Sequence, residues 1–178
     1  MTESIPRAFV RRALVLSLLF VAGAVVAAPV SAQGAGMVPG ADFPSFTVTD
    51  LHGNELDIDD VVEAGKPAVI EIWATWCTIC AAIAPQLDTI YERHGDDVSV
   101  VAIAVATNQT RDEVAAYVEE RGLDWRFVWD RDGDAVRALG VFGTGVVITV
   151  DRDGRVVAAS PGVGRDLVAE VEALLGGR

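Results

Sequence analysis

The sequence predicts an α/β domain: a mixed central sheet with helices on both faces and an N-terminal β-hairpin extension. Three features predict it. From residue 68 to the C-terminus, apolar β-prone runs alternate with helical patterns, the order that places strands side by side with helices packed over them. Val98 to Ala106 is almost wholly apolar, as a strand covered on both faces must be. Two turn signals, His52-Gly53-Asn54 and Asp151-Arg152-Asp153-Gly154, each separate short β-prone runs and read as hairpins near either end.

The chain has 178 residues, enough for one domain with a sizeable core and a short extra segment. The formal net charge is -12, and an excess of acid argues against a nucleic-acid partner, whose phosphates call for Lys and Arg. Residues 1–32 read as a secretory signal. Arg7, Arg11 and Arg12 form a basic start, Ala13 to Ala28 is an apolar run, and Val30-Ser31-Ala32 is a small-residue cleavage site. The run is short for a ~20-residue membrane span, so an uncleaved N-terminal anchor at residues 13–28 is the alternative. Residues 33–41, rich in Gly and Ala with Pro39, read as a linker, and 42–178 as the folded domain. The expected location is exported, periplasmic or extracytoplasmic.

Within the domain, Phe46 to Thr49 and Glu55 to Ile58 form the first predicted hairpin. Ala68 to Ala74 reads as a buried strand. From about Ile79 to His94 the apolar residues Ile83, Leu87 and Ile90 fall at helical spacing, with Pro85 inside. After the Val98–Ala106 strand, Thr110 with Glu113 makes a capping-box pattern for a helix reaching Arg121 and stopped by Gly122. Trp125 to Trp129 is a short strand and Asp134 to Leu139 a short helix ended by Gly140. Val146 to Val150 and Arg155 to Ala159 form the late hairpin. Arg165 to Leu175 closes the chain as an amphipathic helix.

The chemistry centres on Cys77-Thr78-Ile79-Cys80, which holds both cysteines of the chain. At a strand–helix junction Cys77 stands at the helix N-terminus and Cys80 one turn inside. Unpaired amide N–H groups and the helix dipole there stabilise a thiolate, the attacking species in disulfide exchange. A purely structural bridge this short closes too small a loop to stabilise much. Zinc needs further ligands, and His52 and His94 lie far along the chain. Haem attachment needs His at position 81, which is Ala.

The run Glu71-Ile72-Trp73-Ala74-Thr75-Trp76-Cys77-Thr78-Ile79-Cys80, followed by Pro85, resembles the active-site signature of the thioredoxin superfamily. Trp-Ala-Thr-Trp-Cys within it resembles the TlpA/ResA-like branch. So do Asp42 to Asn54 and the late hairpin Val150 to Val156. The resemblance implies a thioredoxin fold and a thiol–disulfide oxidoreductase, usually reducing. It implies disulfide-containing client proteins, a membrane thiol electron donor of DsbD/CcdA type, a monomer, and neither cofactor nor metal. Cytochrome c maturation and disulfide repair of exported proteins are that branch's settings. It implies that Trp76 shapes the docking surface and that Glu71 takes the proton of the resolving Cys80. A lone carboxylate amid Val69, Ile70, Ile72 and Trp73 is costly without a function or a partner. The competing reading of Glu71 is a solvent-facing position at a sheet edge, and of Trp76 plain core packing.

The match breaks at two places. Gly145 in Gly143-Thr144-Gly145-Val146 stands where the family carries a cis-proline facing the dithiol. Cis at a non-proline bond costs ~2.5–4 kcal/mol, so Thr144–Gly145 is expected trans. Thr144 and Gly145 are still expected beside Cys77, offering backbone hydrogen bonds to a client. Residue 83, an acid in ResA-like members, is Ile here, which weakens cytochrome c maturation as the role. The alternative function is a thioredoxin-fold module binding peptide, or metal shared between two chains. A peroxidase is disfavoured because residue 74 is Ala rather than Thr.

Overall fold

The computed structural model describes residues 37–176. The expected export signal and the first residues of the expected linker lie outside that range. Twelve elements follow in chain order: β1 (Thr47–Asp50), β2 (Glu55–Asp57), α1 (Ile58–Val61), β3 (Ala68–Trp73), α2 (Thr78–His94), β4 (Ser99–Val105), α3 (Arg111–Arg121), β5 (Arg126–Asp130), α4 (Asp134–Leu139), β6 (Val146–Val150), β7 (Val156–Pro161) and α5 (Leu167–Gly176). The strands make one seven-stranded sheet in the order β2-β1-β5-β4-β3-β6-β7. β3, β4 and β5 run parallel, and the pairs β1/β2, β1/β5, β3/β6 and β6/β7 are antiparallel. Helices cover both faces.

The period-two pattern of the strands splits the core into two layers. Val69 and Trp73 of β3 face one way, joining Ile83, Leu87 and Ile90 of α2 with Val114 of α3 and Leu167 and Val171 of α5. Ala68, Ile70 and Ile72 face the other, against Ile58 and Val61 of α1 and Ala135 and Leu139 of α4. β4 is the central strand, buried from Ser99 to Ala104, as its apolar run requires.

Local chemistry sets the ends of the elements. Thr110 closes a full capping box with Glu113 at the start of α3, and Gly122 ends that helix in the left-handed conformation. Asp50 accepts from the N–H groups of His52 and Asn54 and so builds the first hairpin turn. Ile58, expected at the end of a strand, instead opens the single turn α1. Its N–H donates to Phe46 O at 2.9 Å, and Asp59 and Asp60 lie in the first turn, where negative charge is favoured. Gly40 and Ala41, at the end of the expected linker, exchange hydrogen bonds with Val156, and Asp42 bridges to Arg155.

Candidate active site

β3 delivers the chain to the carboxyl end of the parallel strands, where Ala74, Thr75 and Trp76 turn it into α2. Cys77 is the N-cap of α2, and its Sγ accepts the N–H of Cys80 at 3.1 Å. Thr78 and Ile79 make the first turn, so Cys80 falls one turn along. Cys77 and Cys80 are disulfide-bonded, with Cα atoms 5.3 Å apart. Cys80 is fully buried, whereas Cys77 retains 7% exposure. Only the residue at the helix start thus retains any contact with solvent, and one helix-end amide, that of Cys80, is already aimed at its sulfur.

Glu71 stands on β3, six residues before Cys77. β3 is flanked by β4 and β6, so Glu71 does not stand at a sheet edge. It pairs with Ala102 and Val147 and alternates with Ile70 and Ile72, pointing to the same layer as Val69, Trp73 and Cys80. It is fully buried, and neither carboxylate oxygen has a hydrogen-bond partner. Burial pushes its pKa up to about 8. That value sits close to an ordinary thiol's ~8.5.

Trp76 is 47% exposed, which excludes core packing, and its Nε1 donates to Thr107 O at 2.8 Å. All peptide bonds of the described residues are trans, Thr144–Gly145 included. Gly145 adopts φ +77°; a Cβ there would lie 2.7 Å from Ile79 Cγ2 and 4.0 Å from Cys77 Sγ. The glycine thus lies against the dithiol, as expected. It does what a proline could not: its N–H donates to Ile72 O at 2.7 Å. A cleft of about 500 Å3 opens beside Trp76 and Thr144, walled by Val105, Val136, Val141 and Phe142.

Residues 38–175 match the family model described as Redoxin. The chain belongs to the Redoxin family. This redoxin is 30% identical over 121 residues to the thiol–disulfide oxidoreductase ResA of Bacillus anthracis, a match covering 66% of each chain. The matched part is thus just under two thirds of that relative's length. Among solved structures it resembles the thioredoxin domain of a thiol–disulfide oxidoreductase from Bacteroides vulgatus, with TM-score 0.67, 24% identity, and coverage of 79% of this chain and 100% of that one. It also resembles a secreted disulfide oxidoreductase of Mycobacterium tuberculosis, with TM-score 0.61, 26% identity, and coverage of 72% and 95%. The redoxin is therefore a ResA-like member of the thioredoxin superfamily with the fold its sequence predicted.

The structure brings Cys77, Cys80, Ile79 and Gly145 into one site with Trp76 and Thr144 along the adjoining cleft, and buries Glu71 within β3. Sequence reasoning missed two residues. Gln109 is buried, and its side-chain carbonyl accepts both the N–H and the hydroxyl of Thr75, each at 2.8 Å. Phe142, three residues before Gly145, is 97% exposed at the rim of the cleft. Its position beside the Gly143-Thr144-Gly145 segment was the available signal. For Gln109 there was none beyond a polar residue in a loop.

Proposed function

We propose that this redoxin is an exported thiol–disulfide oxidoreductase that reduces disulfides in extracytoplasmic proteins. The observation that carries the reading is the position of the dithiol. One cysteine retains contact with solvent and its sulfur is capped by a helix amide, and the second is buried one turn behind it. In the reduced protein the Cys77 thiolate attacks a client disulfide. A Cys77–client S–S bond forms, and the client's first sulfur leaves as a thiolate and takes up a proton. Cys80 gives its proton to the fraction of Glu71 that is ionised, which grows as pH approaches about 8, and attacks Cys77 Sγ. The internal disulfide forms, and the second client sulfur leaves as a thiolate that Glu71 or water reprotonates. The client has gained two electrons, which a membrane thiol donor of DsbD/CcdA type restores to Cys77 and Cys80.

In this proposal Trp76 and Thr144 line the client's approach, Gly145 closes over Cys77, and the adjoining cleft takes an apolar side chain of the client. Export is supported by the basic start and apolar run of residues 1–32 and by likeness to a secreted oxidoreductase. Among the described residues no helix is long and apolar enough to cross a membrane. Cytochrome c maturation is the narrower setting, and Ile83 in place of an acid weighs against it.

The test is turnover of insulin or a model disulfide with a dithiol donor. Wild type is expected to turn over and Cys77→Ser to lose activity by at least a thousandfold, because the attacking thiolate is gone. Full activity in Cys77→Ser refutes the proposal. Tight peptide binding without turnover would favour a binding module. A reduction potential near the ~-270 mV of thioredoxin supports a reductase, and one near ~-120 mV an oxidant.

A further inference from the structure

β3 and β4 pair as a parallel ladder up to Trp73 opposite Ala104. Beyond that point β3 turns toward Cys77, β4 runs on to Val105, and the strands part. The chain after β4 reverses at Asn108, in the left-handed conformation with φ +53°, and returns Gln109 to the gap. There the carboxamide makes three hydrogen bonds. Its carbonyl accepts from Thr75 N–H and Thr75 Oγ1, and its amide donates to Val105 O at 2.6 Å. Accepting from the chain just past the end of one strand and donating to the last residue of its neighbour, the carboxamide does what a peptide unit does inside a sheet. The Gln109 side chain occupies the place of a missing link of the ladder.

What it holds lies next to the chemistry. Cys77 N–H donates to Ala74 O at 3.1 Å, so Thr75 and Trp76 are the middle of a turn whose last residue is the nucleophile. The same β4–α3 loop grips Trp76 through Thr107 O. If Thr75 is released, the turn that sets Cys77 on the axis of α2 can rotate. Nothing else among the described residues hydrogen-bonds the Thr75 N–H or hydroxyl.

We propose that Gln109 is a positioning residue: a side-chain amide that extends the β3–β4 ladder and holds the Thr75–Trp76 turn so that Cys77 meets the start of α2. The proposal rests on the dithiol-exchange reading above. It does not make Gln109 a catalytic residue, since the carboxamide touches neither sulfur.

The experiment uses the full chain with Gln109→Leu, which keeps the bulk and removes the amide, and Gln109→Glu. Four quantities are read: kcat/KM for insulin reduction, the pH midpoint of Cys77 alkylation by iodoacetamide, the part of the tryptophan fluorescence that Trp76→Phe removes, and the thermal midpoint. Gln109→Leu is expected to lower kcat/KM about tenfold, the effect of one well-placed hydrogen bond network, to raise the alkylation midpoint and to shift the fluorescence. Gln109→Glu keeps the acceptor for Thr75. Relative to wild type at the same pH, it is expected to recover most of the activity at acid pH, where its carboxyl carries a proton for Val105 O, and to lose that ground as the carboxyl ionises. A lower thermal midpoint with kcat/KM and alkylation midpoint both within twofold of wild type would overturn the proposal. Should Gln109→Leu fail to fold, Thr75→Val removes one of the three bonds. About a threefold loss in kcat/KM is then expected, and no loss overturns the idea. A wild-type chain without turnover sinks the reductase reading, and the alkylation midpoint alone then decides on Gln109.

Discussion

Two short loops wall the dithiol, and they are held by different means. On the Ala74–Trp76 side, hydrogen bonds that involve side chains do the holding: the Gln109 carboxamide on Thr75, and the Trp76 indole on the main-chain carbonyl of Thr107. On the Gly143–Gly145 side the main chain does it. Gly145 N–H donates to Ile72 O and Gly145 O accepts Gly162 N–H at 2.9 Å, while the missing side chain leaves room for Ile79. The first wall fails by losing a hydrogen bond, a graded loss that leaves a buried polar group without a partner. The second fails by gaining an atom, which neither a left-handed backbone nor a filled space tolerates. Rigid presentation of one sulfur thus rests on polar satisfaction at one side and on vacancy at the other.

The largest expected effect comes from Glu71, which is buried within β3 and belongs to neither wall. Its carboxyl holds a proton up to about pH 8 when folded, but only to ~4.3 when unfolded. A group with a raised folded pKa favours the folded state most at acid pH. That advantage is lost as pH climbs from the unfolded value through about 8, and is constant beyond. Urea unfolding of the oxidised protein, in which neither cysteine titrates, should therefore show wild type losing on the order of a few kcal/mol between pH 5 and pH 9 relative to Glu71→Gln. A difference that stays flat with pH would mean that Glu71 titrates as an ordinary carboxyl and cannot exchange protons with Cys80 near neutrality.

Gly145→Ala tests the wall built on vacancy. The alanine Cβ would press on Ile79 Cγ2 at 2.7 Å from a residue at φ +77°. About 2 kcal/mol of destabilisation is expected, with slower attack by Cys77, whose Sγ lies 4.0 Å from the added carbon. Ile79→Ala in the same chain should relieve the contact but not the backbone strain, recovering roughly half of the loss. If the two changes simply add, the walls do not differ in the way described, and Ile79 is not what the glycine accommodates.

Why one wall was legible in the sequence and the other was not follows from the same contrast. Cys-x-x-Cys at a strand–helix junction, the lone Glu71 in an apolar strand and Gly145 in a Gly-Thr-Gly run each violate a local rule: they put reactive sulfur, charge or flexibility where packing alone would not. Such violations are visible in one dimension. The strands and the Thr110–Glu113 box were legible because they rest on period and spacing within a few residues. Gln109 violates nothing. A glutamine in a loop is unremarkable until the fold brings it onto Thr75, 34 residues away, just after the chain reverses at Asn108 in the left-handed region. The turn α1 was missed for a related reason. Ile58 is apolar and follows a β-prone pair, and its helical conformation depends on a hydrogen bond to Phe46 across the hairpin.

The smallest effect sharpens the polar wall. Thr110 follows Gln109 directly, and its hydroxyl accepts Glu113 N–H at 3.3 Å while its own N–H donates to the Glu113 carboxylate at 2.7 Å. Hydrogen bonds from Thr110, the backbone one first, hold the Glu113 carboxyl below its usual range. Thr110→Ala removes the hydroxyl and leaves that backbone bond. About 1 kcal/mol of stability should go, the ordinary worth of an N-cap, seen as a lower urea midpoint with unchanged slope. Disulfide reduction should stay within twofold of wild type, because the bonds from Gln109 to Thr75 and Val105 do not pass through the Thr110 side chain. If activity instead falls as far as with Gln109→Leu, the unit that positions Cys77 is the whole loop from Thr107 to the start of α3. The carboxamide would then be one contact among several rather than the link that joins the strands.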